Sequence, residues 1–273
     1  MDDIVELQGG TSVTAYLSDI WRLRYFWMAL VRIDLRNRYR RSTIGIGWSL
    51  LHPIAMTIVF CVVFSQFFGQ NWREYGPYVL TGLIFWNFIT SGMNQGCQCF
   101  FQGESYIRQH PAPLAIYPLR TALGAGIHFI FGLCVLLTLV WMVNGFGNLP
   151  FLLSLVPTLM LMFIFCWALA ICMGVLNVLF QDCQHLIEVL LQILFYLTPI
   201  MYNTDDLLLK GKLLRIFNLN PLAIMLRMLR EPVLKGQLPS LHTYELGLSV
   251  AALATVAAVL TLMRFERCII FYL

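Results

Sequence analysis

Thr121–Gln181 reads TALGAGIHFIFGLCVLLTLVWMVNGFGNLPFLLSLVPTLMLMFIFCWALAICMGVLNVLFQ. These 61 residues contain no Asp, Glu, Lys or Arg. A membrane span takes roughly 20 mostly apolar residues, so the stretch is long enough for two. Asn144-Gly-Phe-Gly-Asn148 in its middle reads as the turn between them. Four more charge-free windows flank it: Ser42–Trp72, Tyr75–Gly103, Val189–Thr204 and Leu246–Met263. Together the five windows cover 155 of the 273 residues. Charged residues make up 12% of the chain, against about 25% in a soluble domain. Half the usual charge cannot keep a surface of this size wet, which excludes a soluble enzyme.

The reading is an all-α membrane protein with six transmembrane helices. The spans fall at about Pro53–Gly69, Tyr78–Phe100, Thr121–Val143, Leu149–Phe180, His185–Met201 and Thr243–Met263. Residues 1–52 form a cytoplasmic N-terminal segment and residues 53–273 the transmembrane domain. Within residues 13–41, Trp21, Tyr25, Phe26, Trp27 and Met28 stand among arginines. That composition suits an amphipathic helix lying in the membrane interface. Residues 203–242 carry apolar stretches too short to span, punctuated by Pro221, Pro232, Gly236 and Pro239, and read as short external re-entrant helices.

Arginines set the orientation. Seven precede the first span, Arg108 and Arg120 lie in the 2–3 loop, and Arg264 and Arg267 lie in the C-terminal tail. With six spans all of these fall on one side, so both termini are expected in the cytoplasm. Lys210, Lys212, Arg215, Arg227, Arg230 and Lys235 then form an external basic cluster, which the charge rule does not explain. The acidic start of the chain does not read as a secretory signal. Cys61, Cys134, Cys166 and Cys172 sit inside apolar runs and behave as small hydrophobes.

Three groups of residues carry candidate chemistry. Arg36, Arg38, Arg40 and Arg41 stand just before the first span, where guanidinium forks suit a phosphate or pyrophosphate. The alternative is topological, since basic residues commonly hold the cytoplasmic end of a span. Nucleic acid is a weaker candidate ligand, because the bilayer competes for the same charges. On the second span, Asn87, Ser91, Asn94, Gln95 and Gln98 recur on one helical face, with Gly92 and Gly96 beside them. Helix packing through interhelical hydrogen bonds competes with a wet path for hydroxyl-rich cargo. Aromatic rings at Phe60, Phe64, Phe67, Phe68, Phe85, Trp86, Phe88, Phe195 and Tyr196 could stack on sugar rings or simply pack. No carboxylate sits mid-span, which argues against ion coupling. Asp182, His185 and Glu188 have helical spacing, but polar residues are expected at an interhelical elbow, so no metal is assigned. His128 is expected to be hydrogen-bonded within the bundle. Gly211-Lys212 lacks the rest of a phosphate-binding loop, so any nucleotide is expected on another subunit.

Ala29–Pro53 reads ALVRIDLRNRYRRSTIGIGWSLLHP. It resembles the first motif of the membrane subunits of type-2 ABC polysaccharide exporters, which move O-antigen, capsule or teichoic-acid chains on lipid carriers. Phe180-Gln-Asp182, Leu197-Thr-Pro199-Ile-Met-Tyr202, Asn220-Pro221 with Arg227 or Arg230, and Phe265-Glu266 resemble later family motifs in order. The resemblance implies a homodimer working with two cytoplasmic ATP-binding subunits that carry ATP and Mg, and no cofactor or catalytic residue on this chain. It implies a bacterial inner-membrane location and an undecaprenyl-type lipid-linked polysaccharide as cargo, alongside contacts with membrane lipids and none with nucleic acid. Arg36, Arg38, Arg40 and Arg41 would meet the pyrophosphate or headgroup. Phe60, Phe64, Phe67, Phe85, Trp86, Asn87, Ser91, Asn94, Phe195 and Tyr196 would line the channel. The 2–3 loop, about residues 102–117, would couple to the ATPase through Glu104, Tyr106, Ile107, Arg108, His110 and Pro111. Here the chain departs from the family, with His110-Pro-Ala-Pro113 in place of a Phe-Pro and Gln181 and Gln184 where arginine is common. Two competing functions are a drug or lipid exporter and a membrane-embedded lipid-linked sugar transferase.

Overall fold

The computed structural model describes residues 13–45, 47–68, 71–109, 112–202 and 220–273. Among the described residues there is no strand. Two short helices, α1 (Val13–Arg22) and α2 (Arg24–Arg38), precede the bundle. The expected single interfacial helix is thus broken at Leu23. The long helices are α3 (Gly47–Phe68), α4 (Trp72–Gln109), α5 (Ile116–Asn144), α6 (Leu155–Leu179) and α9 (Leu241–Tyr272). Two shorter ones are α7 (Cys183–Leu197) and α8 (Pro221–Arg230). A 3-10 stretch, Gly145–Ser154, joins α5 to α6. The turn read at 144–148 therefore opens at Gly145 (φ 69°) and continues as helix, which delays the start of α6.

Among the described residues, four helical stretches are long and apolar enough to cross a membrane: Gly47–Phe64, Ile116–Val143, Phe151–Leu179 and Leu241–Glu266. They match the first, third, fourth and sixth expected spans. The other two differ for opposite reasons. α4 has 38 residues, roughly 57 Å of helix at about 1.5 Å each, but its amides dilute its apolar character. α7 is apolar but has 15 residues, roughly 22 Å by the same rise. It stops because Pro199 pushes Thr198 into extended backbone (φ −99°, ψ 132°).

α4 is the centre of the bundle. One side of it, including Val79, Phe85, Ile89, Cys97 and Phe100, is fully buried against α5, α6 and α8. Small residues set the closeness of α4 and α6. A Cβ built on Gly96 would lie 2.8 Å from Ala170 Cα, and one on Gly174 would lie 2.9 Å from the Gly96 carbonyl oxygen. Backbones that approach this closely gain dispersion contacts, which drive helix association in lipid. A second core at the end where α1 and α9 meet joins Ile20, Phe100, Tyr117, Val175 and Ile269. There Tyr16 donates to Glu266 (3.1 Å) and accepts from the Ala115 amide (3.3 Å). Burial, with the nearby Glu266 carboxylate, pushes the Tyr16 phenol well above its ordinary pKa, so it remains a donor.

Gly96→Val should therefore force α4 and α6 apart and lower stability by about 1–3 kcal/mol, as overpacking does. Gly124→Val, where an added Cβ meets nothing within 4 Å, should leave it nearly unchanged. Thermal unfolding of the detergent-solubilised protein reads both.

Candidate functional site

The arginine cluster is built on a docked helix. Asp34 of α2 receives both Nε and Nη2 of Arg120 from α5, and Leu30 and Val31 are buried alongside. Arg120 is 9% exposed and the Asp34 side chain 36%, so the pair is a half-buried fork. α2 then ends and the chain turns back. Tyr39 Oη lies 2.6 Å from Ser49 Oγ and 3.2 Å from His128 Nδ1, which is itself 3.2 Å from Ser49 Oγ. This clasp ties the end of α2 to α3 and α5, and it gives His128 its expected partners. Arg41 adopts φ 68°, a left-handed backbone that an arginine rarely takes. Ser42 Oγ accepts from the Gly45 amide (3.0 Å) and closes the turn. Arg36, Arg38, Arg40 and Arg41 are all exposed on this hook. None pairs with a carboxylate among the described residues. Arg36, Asn37, Tyr39 and Arg40 line a hollow of about 650 Å³.

The polar stripe of α4 is its open face. Asn87, Thr90, Ser91, Asn94, Gln95 and Gln98 are all half-buried, while their neighbours Phe88, Ile89, Gly92, Met93, Gly96 and Cys97 are buried. The glycines thus take the packing role and most of the amides do not. α7 stands beside this face. Trp86, Thr90 and Asn94 from α4 and Glu188, Leu191, Gln192, Phe195 and Tyr196 from α7 line an open cleft of about 580 Å³. Trp86 meets Phe195 edge to face at 5.5 Å, and Phe195 meets Tyr196 the same way at 5.4 Å. Asn94 Oδ1 is buried and accepts no hydrogen bond from the described residues. A short amide chain closes one end: Asn177 Nδ2 donates to the Cys97 carbonyl (2.9 Å), its Oδ1 accepts the Gln184 amide (3.1 Å), and Gln98 donates to the Gln184 side chain. Gln184 Nε2 in turn donates to Glu188 (3.2 Å).

Phe85, Phe60 and Phe64 do not line this cleft within one chain. Phe85 is 0% exposed in the core, because it lies about 100° round α4 from Trp86. Phe60 and Phe64 stack on each other at 5.8 Å on α3 and rest against the core from another side. The Phe67 side chain lies outside the described residues, as do His110 and Pro111. Toward the end of α4, Glu104 and Arg108 form an exposed ion pair (2.9 Å), Tyr106 meets the Phe26 ring at 5.9 Å, and Ile107 is buried. His185 lies 3.9 Å from Glu188, and no metal-binding group occurs among the described residues. Thr90, Glu188 and Gln192 were missed as lining residues, although Glu188, Gln192 and Tyr196 share an i, i+4, i+8 spacing.

Where α7 breaks, the carbonyls of the extended segment that follows it need donors. Arg230 from the end of α8 supplies them. Its Nη1 donates to Pro199 O (2.5 Å) and Tyr78 Oη (2.8 Å), and its Nη2 to Ile200 O (2.8 Å) and Tyr78 O (3.1 Å). The guanidinium also lies 3.6 Å from the Tyr78 ring centre. Asn220 Nδ2 donates to Leu197 O (3.2 Å) and Thr198 Oγ1 (3.0 Å) while its Oδ1 caps α8 at the Leu222 amide (2.9 Å). Gly82 makes room, since a Cβ there would lie 2.8 Å from Ile200 O and 2.9 Å from Arg230 Nη2. Two members of the expected external basic cluster are therefore internal partners: Arg230 is buried, and Arg227 pairs with Glu231 (2.8 Å). Lys210, Lys212 and Arg215 lie outside the described residues.

The ABC-2 type transporter family matches residues 25–234, which takes in the arginine hook, the α4–α7 cleft and the Arg230 cage. The chain belongs to the ABC-2 type transporter family. Relatives of this ABC-2 type transporter include an O-antigen export system permease protein RfbA of Klebsiella pneumoniae, 26% identical over 80% of this chain and 85% of that one. The RfbA protein of Myxococcus xanthus is 23% identical over 89% and 90%. The polysialic acid transport protein KpsM of Escherichia coli is 21% identical over 76% and 81%.

Removing Arg230 from this ABC-2 transporter should take a donor from three carbonyls, those of Tyr78, Pro199 and Ile200, and from the Tyr78 hydroxyl. Arg230→Met is expected to cost about 2–4 kcal/mol. Lys235→Met, at an exposed position on the following turn, should cost little. Chemical denaturation in detergent micelles distinguishes them.

Proposed function

We propose that this ABC-2 transporter is the transmembrane subunit of an ATP-driven exporter of lipid-pyrophosphate-linked polysaccharide, of O-antigen kind, from the cytoplasm to the outer side of the bacterial inner membrane. The α4–α7 cleft carries the reading. It combines three aromatic rings with amide and hydroxyl groups, a surface that stacks on the apolar faces of sugars and exchanges hydrogen bonds with their hydroxyls. A drug or lipid cargo would have less use for a face of amides, and the relatives named for O-antigen and polysialic acid favour carbohydrate. A sugar transferase would need a catalytic set at the headgroup plane. His185 is largely exposed, and its 3.9 Å approach to Glu188 is too long for a hydrogen bond.

In this reading the chain is not itself an enzyme. It works as a homodimer with two cytoplasmic subunits that bind ATP and Mg. It crosses the membrane six times, with α4 and α7 as the second and fifth spans and both termini in the cytoplasm. Residues 203–242 face outward. α3 is the least buried of the apolar spans, which leaves a face for the second copy. The Glu104–Arg108 end of α4, stacked on α2 through Tyr106 and Phe26, is the contact for the ATPase. The pyrophosphate of the carrier docks on Arg36, Arg38, Arg40 and Arg41. The hook suits this because its arginines are held out without carboxylate partners. Closure of the ATPase pair then shifts α3 and α7 against α4. The work comes from the different affinities of the two nucleotide states for two channel shapes.

Co-purification followed by export from vesicles tests this reading. An ATPase subunit should accompany the chain, and the pair should move a lipid-linked glycan when ATP is added. A chain that purifies alone and moves no glycan with any ATPase would overturn it. Within the complex, Arg38→Glu with Arg41→Glu should reduce export about tenfold or more, since a charge-assisted contact is worth about 1.5–3 kcal/mol. Assembly with the ATPase should persist. Equal loss of both would mean that the arginines only set topology.

A further inference from the structure

The cleft between α4 and α7 holds a single formal charge. Ser42–Trp72, which contains the whole of α3, has none, and neither does Tyr75–Gly103 of α4. In α7 the only one is Glu188. Its side chain is 47% exposed, with Oε1 held by Gln184 Nε2 at 3.2 Å and Oε2 near the exposed His185. The rest of the lining is neutral: Trp86, Thr90, Asn94, Gln192, Phe195 and Tyr196, with the aliphatic Leu191 between. Five of the eight lining residues can hydrogen-bond without charge, and one carboxylate stands among them.

We propose that Glu188 is a specificity-determining residue that selects glycans without acidic groups in their repeat. The inference rests on the exporter reading and names its cargo class. A chain of neutral or amino sugars can stack on Trp86, Phe195 and Tyr196 and exchange hydrogen bonds with Thr90, Asn94 and Gln192. A hexuronate repeat must bring one carboxylate after another past Glu188. Among the described residues no Lys or Arg lines the cleft to offset that repulsion, and its aromatic and aliphatic walls screen it less than bulk water would. Charged rings select ions in channels by the same physics. The arginine hook, on a different element, is free to take the one anionic end of the carrier. The two opposite charges therefore orient the substrate, with pyrophosphate at the hook and glycan at the cleft.

The test uses the complete transporter with its ATPase in proteoliposomes and two matched probes. One is an undecaprenyl-pyrophosphate-linked mannan and the other is the same chain oxidised at C6 to mannuronate. The wild type should export the mannan at least tenfold faster. E188Q should raise the acidic-to-neutral rate ratio at least fivefold. E188D, which keeps the carboxylate, should retain the wild-type ratio, and so should E245Q, whose carboxylate lies on α9. ATPase stimulation by each probe in the wild type gives the same comparison without any variant. Equal export and equal stimulation by the two probes would overturn the inference and leave the exporter reading standing. An unchanged ratio in E188Q would remove Glu188 as its cause. Export of neither probe would overturn the exporter reading itself, and this inference with it.

Discussion

The backbone of α4 lies against that of α6 with almost nothing between them, and this closeness decides what the remaining faces of α4 can do. Lipid tails are as apolar as leucine, so burying hydrophobic surface does not by itself drive helices together in a bilayer. Gly92, Gly96 and Gly174 replace that force with backbone proximity. Once those positions face α6, helical geometry turns Asn87, Ser91, Asn94 and Gln98 away from the core. Most of these groups therefore lie open beside α7, and Gln98 alone among them bonds across to it, at Gln184. A single rotational setting of α4 thus supplies both the tightest contact of the bundle and its most polar surface.

Polar groups elsewhere follow a second rule: a helix that breaks within the bundle must have its orphaned groups satisfied by protein. The end of α7 shows how. Asn220 takes the Leu197 carbonyl, Arg230 takes those of Pro199 and Ile200 just beyond it, and Tyr78 of α4 backs the guanidinium. At the opposite end of the polypeptide path, Asp34 and Arg120 form the reciprocal device, a carboxylate and a guanidinium joined across α2 and α5. Both arrangements hold a guanidinium through several hydrogen bonds at once. The arginines of the hook differ, being exposed and held by a turn whose strained residue is Arg41. That contrast separates structural cations from those available to a ligand.

The long helices were legible because charge and apolar runs are local properties. The half-open face of α4 was also legible, since a stripe at i, i+4, i+7 and i+8 needs only helical periodicity. Other features depend on which elements meet. Nothing near Arg230 in the sequence distinguishes it from Arg227, yet one is caged and the other mostly solvated. Phe85 and Trp86 are adjacent aromatics, but only the packing of α6 and α7 decides which one reaches the cleft. The Tyr39–Ser49–His128 clasp joins residues up to 89 positions apart and carries no local pattern. The break between α1 and α2 falls at Leu23, which carries no helix breaker, and the 3-10 extension before α6 begins as the turn that Asn144–Asn148 marks but runs on through Pro150.

The central claim is that sugars travel along the face shared by α4 and α7. Site-specific photocrosslinking tests it most directly. Benzoylphenylalanine would replace Tyr196 in the cleft or Leu253 on the outer face of α9, in vesicles stalled during export of a labelled lipid-linked glycan. The account predicts glycan adducts at position 196 and lipid adducts at position 253. Glycan captured equally at both positions, or at 253 alone, would contradict it.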